Sequence, residues 1–161
     1  MLFRSPSNSA LYVQGPVLGA QTGASIASGY VGEVILKNPA ANVTPAASLQ
    51  DCNKTVTSQL LQPGVYLVSG VVSVNRGSIT GFNNVYACIS LNDNANDSAS
   101  KNNVGFAFPG TTIASPYVAT PIRYLNITTP TTVYLTAGIE YTALGSAVYQ
   151  TASSLQIIRL N

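Results

Sequence analysis

The sequence has no histidine and no tryptophan, and it has few residues of either charge. Five acidic and seven basic residues among 161 make up 7% of the chain, against roughly 25% in an ordinary soluble domain. Histidine, aspartate and glutamate perform most proton transfers near neutral pH, so the chain has few of the groups that acid–base catalysis needs. We therefore expect a protein that is not an enzyme and that works by assembling with other proteins.

The few acidic residues leave two chemical alternatives open. Glu33, Asp51 and Glu140 are the candidates for a pair of carboxylates in a small carbohydrate-active enzyme. Residues 92–97 have oxygen side chains at alternate positions, as a calcium loop does, but glycine is missing at the sixth place and an acid at the twelfth. A solvated loop is the better interpretation of that stretch. Phosphate-loop, zinc and dinucleotide motifs are also missing, so we expect no metal and no cofactor.

Long apolar runs and clusters of basic residues are missing as well. No run is long enough to span a bilayer, and residues 1–7 lack the apolar core of a signal peptide. The basic residues are scattered singly, whereas nucleic-acid binders carry a clustered patch. We therefore expect no membrane insertion, no nucleic-acid partner and synthesis in the cytosol. Cys52 and Cys88 are then expected to be reduced and structural, with a disulfide between them as the alternative.

Residues that favour β-strands are what the sequence does contain. Val, Thr, Tyr and Ile dominate, whereas helix-forming residues are scarce. The clearest alternation covers 131–141, where Val133, Leu135, Ala137, Ile139 and Tyr141 share one face. Strand signals recur at fairly even spacing between Gly, Pro and Asn turns. This pattern predicts an all-β protein, an antiparallel jelly-roll β-sandwich of about eight strands.

The segment 65–74 has apolar residues on both of its faces. Tyr66, Val68, Val72 and Val74 point one way, and Val65, Leu67 and Val71 point the other way. Such a strand should be covered on both sides, by the second sheet on one side and by a neighbouring subunit on the other. Tyr134 lies on the outward face of 131–141, although for any single tyrosine an ordinary half-buried sheet position is the alternative. The predicted subunit interface therefore comprises Val65, Leu67, Val71 and Tyr134.

Residues 1–28 differ in character from the domain predicted at 29–161. The segment is small, polar and broken by proline and glycine, which predicts an extended arm. It also carries Met1, Leu2, Phe3, Leu11 and Tyr12, which is more apolar surface than a solvated tail usually has. We expect these residues to anchor the chain on a partner; a floppy terminus is the alternative.

The polar loops of the predicted domain are rich in asparagine. Asparagine offers both hydrogen-bond donors and acceptors, which suits contact with the hydroxyl groups of a sugar. The candidate receptor-contacting residues are Asn83, Asn84, Asn94 and Asn96.

Four segments, taken in order, resemble a known type of β-sandwich. They are the small-residue stretch 27–34 with its Gly-Glu pair, the Leu-x-x-Gly-Val-Tyr run in 61–72, the Thr-Val-Tyr-Leu strand in 131–137, and the closing strand 155–160. Together they are similar to the knobs at the ends of bacteriophage fibre proteins, akin to the trimeric TNF/C1q-like jelly rolls. The final strand departs from that family by carrying one arginine, Arg159, where several are common. Val65-Tyr66 also replaces an acidic–aromatic pair.

The resemblance implies a homotrimeric virion structural protein that binds phage capsid or tail proteins. About 25 residues precede the region of likeness, which favours a capsid decoration or a short head fibre over a long tail fibre. The alternative is a receptor-binding tail fibre or tail tip that recognises a glycan or protein of the host surface. Either way, we expect the protein in the virion after assembly in the host cytoplasm.

Overall fold

The chain folds as an all-β protein. The computed structural model describes residues 2–4, 11–13, 32–46, 52–75, 77, 84–95, 104–107, 117–141 and 147–160. Within these ranges every regular element is a β-strand, and every strand pair is antiparallel. The expectation of an all-β, antiparallel fold is thereby confirmed.

The strands of the described residues form two large sheets and one small ribbon. They are β1 (Leu2–Arg4), β2 (Leu11–Val13), β3 (Val34–Lys37), β4 (Lys54–Leu61), β5 (Gly64–Asn75), β6 (Asn84–Ser90), β7 (Val104–Ala107), β8 (Tyr117–Ala119), β9 (Arg123–Ile127), β10 (Thr131–Glu140), β11 (Val148–Tyr149) and β12 (Ser154–Arg159). A four-stranded sheet has the order β4–β10–β6–β7. A six-stranded sheet has the order β11–β5–β12–β3, with β8 and β9 also paired to β5.

The strand pairs of the two sheets are nested along the chain. β3 pairs with β12, β4 with β10, β5 with β9, and β6 with β7. β8 and β9 follow one another along one edge of β5, and β11 and β12 follow one another along its other edge. Each sheet is therefore four strand positions wide.

The two sheets pack against each other around one apolar core. β10 contributes Val133, Leu135, Ala137 and Ile139, and β5 contributes Tyr66, Val68, Val72 and Val74; all are buried. A Cβ placed on Gly70 of β5 would lie 2.6 Å from Leu135 Cδ1 in β10. The sheets are therefore in close contact at this point. The predicted alternation of β10 and the predicted division of β5 into two faces are both confirmed.

The two cysteines are joined by a disulfide, so the expectation that both are reduced is wrong. The Cα atoms of Cys52 and Cys88 lie 6.2 Å apart. Cys52 lies just before β4 and Cys88 lies in β6, while β10 runs between these two strands. The bond therefore ties together the two strands that flank β10. The expectation depended on an inferred compartment and not on any geometry.

Part of the predicted N-terminal arm forms a ribbon. Leu2–Arg4 pairs with Leu11–Val13, and Phe3 lies opposite Tyr12. Leu11–Val13 therefore has its strand partner within the arm itself. Met1 and the boundary between residues 28 and 29 lie outside the described residues.

Candidate functional site

The outer face of the six-stranded sheet carries no charged side chain on the strands that the structure describes. Side chains alternate between the two faces of a strand, and the buried residues of β3, β5, β9 and β12 fix which positions point away from the core. The outward apolar positions, named here the apolar face, are Val34, Leu36, Val65, Leu67, Val71, Tyr124 and Ile158. Between them lie the uncharged polar residues Ser69, Asn126, Ser154 and Gln156.

One row of the apolar face crosses four strands. Leu67 of β5 lies opposite Tyr124 of β9 on one side and Ile158 of β12 on the other. Ile158 in turn lies opposite Val34 of β3. Tyr124 and Val34 are 62% and 58% exposed at the two ends of the row, whereas Leu67 and Ile158 are half-buried between them. The row is therefore continuous across the whole width of the sheet.

Further exposed apolar side chains extend this surface. Leu36 is 62% exposed beside Val34, and Tyr117 and Ile122, near the β9 edge, are 64% and 68% exposed. Monomeric soluble proteins rarely leave a contiguous apolar patch of this kind in water, and larger ones mark contacts with other proteins or with ligands. Since complete burial of one such side chain contributes about 1.5–3 kcal/mol, the exposed members of this surface favour a contact that covers them.

The arginines of β9 and β12 are held away from the apolar face. Arg123 and Arg159 lie opposite Val68 and Tyr66, whose side chains point into the core. Arg123 Nη1 donates to the carbonyl oxygen of Ile89 at 2.9 Å, which links the two sheets. Arg159 Nη2 donates to the carbonyl oxygen of Pro63 at 2.9 Å. Its guanidinium carbon lies 5.5 Å from the centre of the Tyr66 ring.

The structure brings together three of the four predicted interface residues. Val65, Leu67 and Val71 lie on the apolar face, but Tyr134 does not. Tyr134 is half-buried on the outer side of the four-stranded sheet, opposite Ser90 and Ser58. The sequence reasoning missed the exposed members Val34, Leu36 and Tyr124. These three residues alternate along their strands with neighbours that point into the core, and this alternation could have indicated them. Alternation alone, however, does not say which face of a strand is covered.

The outer side of the four-stranded sheet is polar, in contrast to the apolar face. Asn84 Nδ2 donates to Glu140 Oε2, and the Tyr86 hydroxyl donates to the same oxygen at 3.4 Å. Burial raises the pKa of Tyr86, and the nearby Glu140 carboxylate raises that pKa further. Asn84, a predicted receptor-contacting residue, therefore belongs to a cluster of three linked polar side chains, and all three are half-buried.

Asn94, another predicted receptor-contacting residue, fixes its loop to β4. Its Oδ1 accepts from the Thr55 backbone N–H at 3.0 Å, and its own backbone N–H donates to Thr55 Oγ1 at 2.9 Å. Thr55 Oγ1 donates to Asp93 Oδ1 at 2.7 Å. Asn94 adopts a φ of 51°, a conformation in which asparagine is enriched. These contacts give Asn94 a role in holding the loop, while Asn83 and Asn96 lie outside the described residues.

The candidates for metal binding and catalysis are dispersed. In the described part of the chain, no three His, Cys, Asp or Glu residues lie close enough to hold a metal ion. Glu33 precedes β3 and Glu140 ends β10, so these two carboxylates belong to different sheets; Asp51 is not described. A groove of about 110 Å³ between β3 and β4 is lined by Glu33, Gln59, Gln62, Tyr66 and Arg159, together with apolar side chains. Glu33 is the one carboxylate among its described lining residues, whereas glycoside hydrolysis commonly uses two.

No protein family matches the chain, and no curated protein sequence is similar to it. Among the described residues there is no helix long and apolar enough to cross a bilayer.

Proposed function

We propose that this protein is a non-enzymatic structural component of a bacteriophage virion. In this proposal three copies assemble as jelly-roll knobs through the apolar face, and the N-terminal arm attaches the trimer to a capsid as a decoration or a short head fibre. The observation that carries the proposal is the uncharged, apolar outer side of the six-stranded sheet.

The nested strand pairing supports the jelly-roll part of the proposal. A jelly roll is an antiparallel pair of sheets with eight strands. It can be described as a long hairpin of eight strands that is then folded up. The first strand pairs with the last, the second with the second from last, and so on inwards to the two strands at the hairpin turn. The pairs β3–β12, β4–β10, β5–β9 and β6–β7 follow that scheme. The resulting orders, β3–β12–β5–β9 and β4–β10–β6–β7, place consecutive strands mostly in opposite sheets.

The distribution of charge supports self-association through the apolar face. A protein interface has a core depleted in charge and enriched in aromatic and aliphatic side chains, and the row from Tyr124 to Val34 has this composition. A nonpolar surface without charges offers no electrostatic selectivity for an unrelated partner, whereas another copy of the chain supplies uncharged apolar surface of matching polarity. The number of three copies comes from the resemblance to trimeric knobs.

The virion assignment depends on the same resemblance and on the disulfide. Three of the four segments that carry the likeness cover β5, β10 and β12, which are interior strands of the two sheets. The likeness therefore concerns the framework of the fold. The Cys52–Cys88 bond favours an oxidising location such as a virion surface over permanent residence in a reducing cytosol.

The test is deletion of residues 2–28 from the full chain. The deleted protein is expected to scatter at three times the mass of its own shortened chain, and the full chain at three times 16.7 kDa, because the apolar face lies outside the deleted segment. It is also expected to lose binding to purified phage particles. If the deleted protein still saturates the particles, the arm is not the anchor; if the full chain scatters as a single copy, the trimer is wrong.

A further inference from the structure

We propose that the outer side of the four-stranded sheet carries a binding site for a neutral saccharide, built by Asn84, Tyr86 and Glu140. This inference goes beyond the assembly proposed above and does not depend on it, because the two surfaces lie on opposite sides of the molecule. The apolar face serves the contact between copies, and the site described here faces away from that contact.

The three side chains are joined before any ligand arrives. Glu140 lies directly opposite Asn84 in the β10–β6 pair, and its Oε2 accepts from Asn84 Nδ2 and from the Tyr86 hydroxyl. The carboxylate is therefore fixed in position by two neutral donors from β6. A ligand that binds a group already ordered by its neighbours loses less conformational entropy than one that must order it.

The residues opposite Tyr86 on its two neighbouring strands are both glycines. Its partner on β10 is Gly138, and its partner on β7 is Gly105. An aromatic side chain that covers a neighbouring glycine helps to stabilise a sheet. Within the row of paired residues that contains Tyr86, its two neighbours are therefore glycines. The Glu140 carboxylate belongs to the next row on the same face, where Glu140 pairs with Asn84.

This combination matches the chemistry of a sugar. A pyranose presents one face of C–H groups, which packs on an aromatic ring, and a rim of hydroxyl groups that both donate and accept. The carboxylate and the phenol oxygen of Tyr86 accept from hydroxyls, while the amide of Asn84 both donates and accepts. Ligand sites typically combine an apolar surface with a small number of such placed polar groups.

A cationic ligand fits the site less well than a neutral sugar. An aromatic ring and a carboxylate both attract ammonium groups. However, an ammonium has donors and no acceptor, so it has no group that can accept from the second N–H of the Asn84 amide. The single O–H of Tyr86 already donates to Glu140, so the phenol oxygen is an acceptor towards a ligand.

The experiment is saturation-transfer NMR on the full chain with separate samples of glucose, galactose, mannose, rhamnose and N-acetylglucosamine, and with choline as the cationic probe. At least one sugar is expected to receive saturation on its ring C–H protons, and choline is not. Glu140→Gln and Tyr86→Ala are expected to weaken that binding about tenfold or more, as loss of one hydrogen bond to a charged group implies. Tyr134→Ala, a tyrosine on the same side of the same sheet, is the matched control and should bind as the unmodified protein does.

Three results would overturn the proposal: no transfer to any of the sugars, transfer to choline alone, or equal sugar binding by the unmodified protein, Glu140→Gln and Tyr86→Ala. Circular dichroism checks that each variant keeps its strand content. If Tyr86→Ala does not fold, Tyr86→Phe keeps the ring and removes the hydroxyl, and it is then expected to bind several-fold more weakly. The mass in light scattering should be unchanged in every folded variant, which separates failure of this site from failure of the proposed trimer.

Discussion

The substitution Leu36→Asp tests whether the apolar face is buried between copies. Leu36 lies on the edge strand β3 and is 62% exposed in the single chain, so the change removes little of the contact that holds the fold together. In a trimer built on this face the same side chain is covered by a neighbour. The substitution should therefore affect assembly while leaving the folded subunit intact.

The expected magnitude follows from the exposed fraction of the side chain. Complete burial of a leucine contributes about 1.5–3 kcal/mol, so covering the exposed part of Leu36 contributes about 1–2 kcal/mol per contact. Three contacts in a closed trimer lose about 3–6 kcal/mol, and each 1.4 kcal/mol is a factor of about ten in the association constant. Removing a carboxylate from water costs several kcal/mol more for each copy. We therefore expect Leu36→Asp to be monomeric at micromolar concentration.

Leu60→Asp is the matched control, measured beside Leu36→Asp by sedimentation velocity. Leu60 is also an exposed leucine, at 52%, and it lies opposite Thr132 on the outer side of the other sheet. It should remain trimeric. The reasoning is refuted if Leu36→Asp keeps three times the mass of one chain, or if both variants dissociate equally, because the effect would then not belong to the apolar face.

Three further substitutions test the core and its covalent link. Gly70→Ala should destabilise the fold by about 1–3 kcal/mol in urea denaturation, because overpacking a core forces side chains to shift and the new Cβ meets Leu135 at 2.6 Å; unchanged stability would show that the sheets separate easily. Replacing Cys52 and Cys88 by serine should cost about 3–4 kcal/mol, as expected for a closed loop of this length, since the cysteines are 36 residues apart; a dithiol reductant should then have no further effect on the variant. Burial raises the pKa of Tyr149 far above its ordinary value, so its contribution to stability is complete below the unfolded pKa of about 10 and is lost as the pH rises above it. Tyr149→Phe should reduce the loss of stability between pH 9 and pH 11 without lowering stability at pH 7, because the hydroxyl makes no hydrogen bond among the described residues; an equal alkaline loss in both proteins would contradict this.

The sequence predicted the secondary structure of the core because alternation is a local signal. The inward set of β10 from Val133 to Ile139 and the two faces of β5 follow directly from side chains that point to opposite sides of a strand. The pairing of the strands is not local. β3 and β12 are more than a hundred residues apart in the chain, and the sequence of neither strand specifies the other as its partner. The pattern therefore indicates the central strands β5 and β10, whereas β1, β8 and the order of the strands do not follow from it.

The candidate site shows the same division between local and non-local information. Val65, Leu67 and Val71 were found because β5 is apolar on both faces, a property of one strand. Tyr134 was grouped with them because its strand also has an outward tyrosine. Nothing in the sequence says that β5 and β10 belong to different sheets and present their outward faces to opposite sides. The sequence likewise leaves the Cys52–Cys88 bond as one of two alternatives, since two cysteines without a known compartment do not specify a pair.

The few charged side chains are distributed unequally between the outer face of the six-stranded sheet and that of the four-stranded sheet. The two arginines of the six-stranded sheet are turned towards the core side, where Arg123 donates to Ile89 and Arg159 to Pro63, so the apolar face stays uncharged. The carboxylate of Glu140 is instead placed on the opposite side and is held by neutral donors. Because burying a charge in an interface is costly unless it is well paired, the uncharged face is the side suited to contact between copies. The polar face is the side suited to water and to small polar ligands, so each outer face has the chemistry that its proposed role requires.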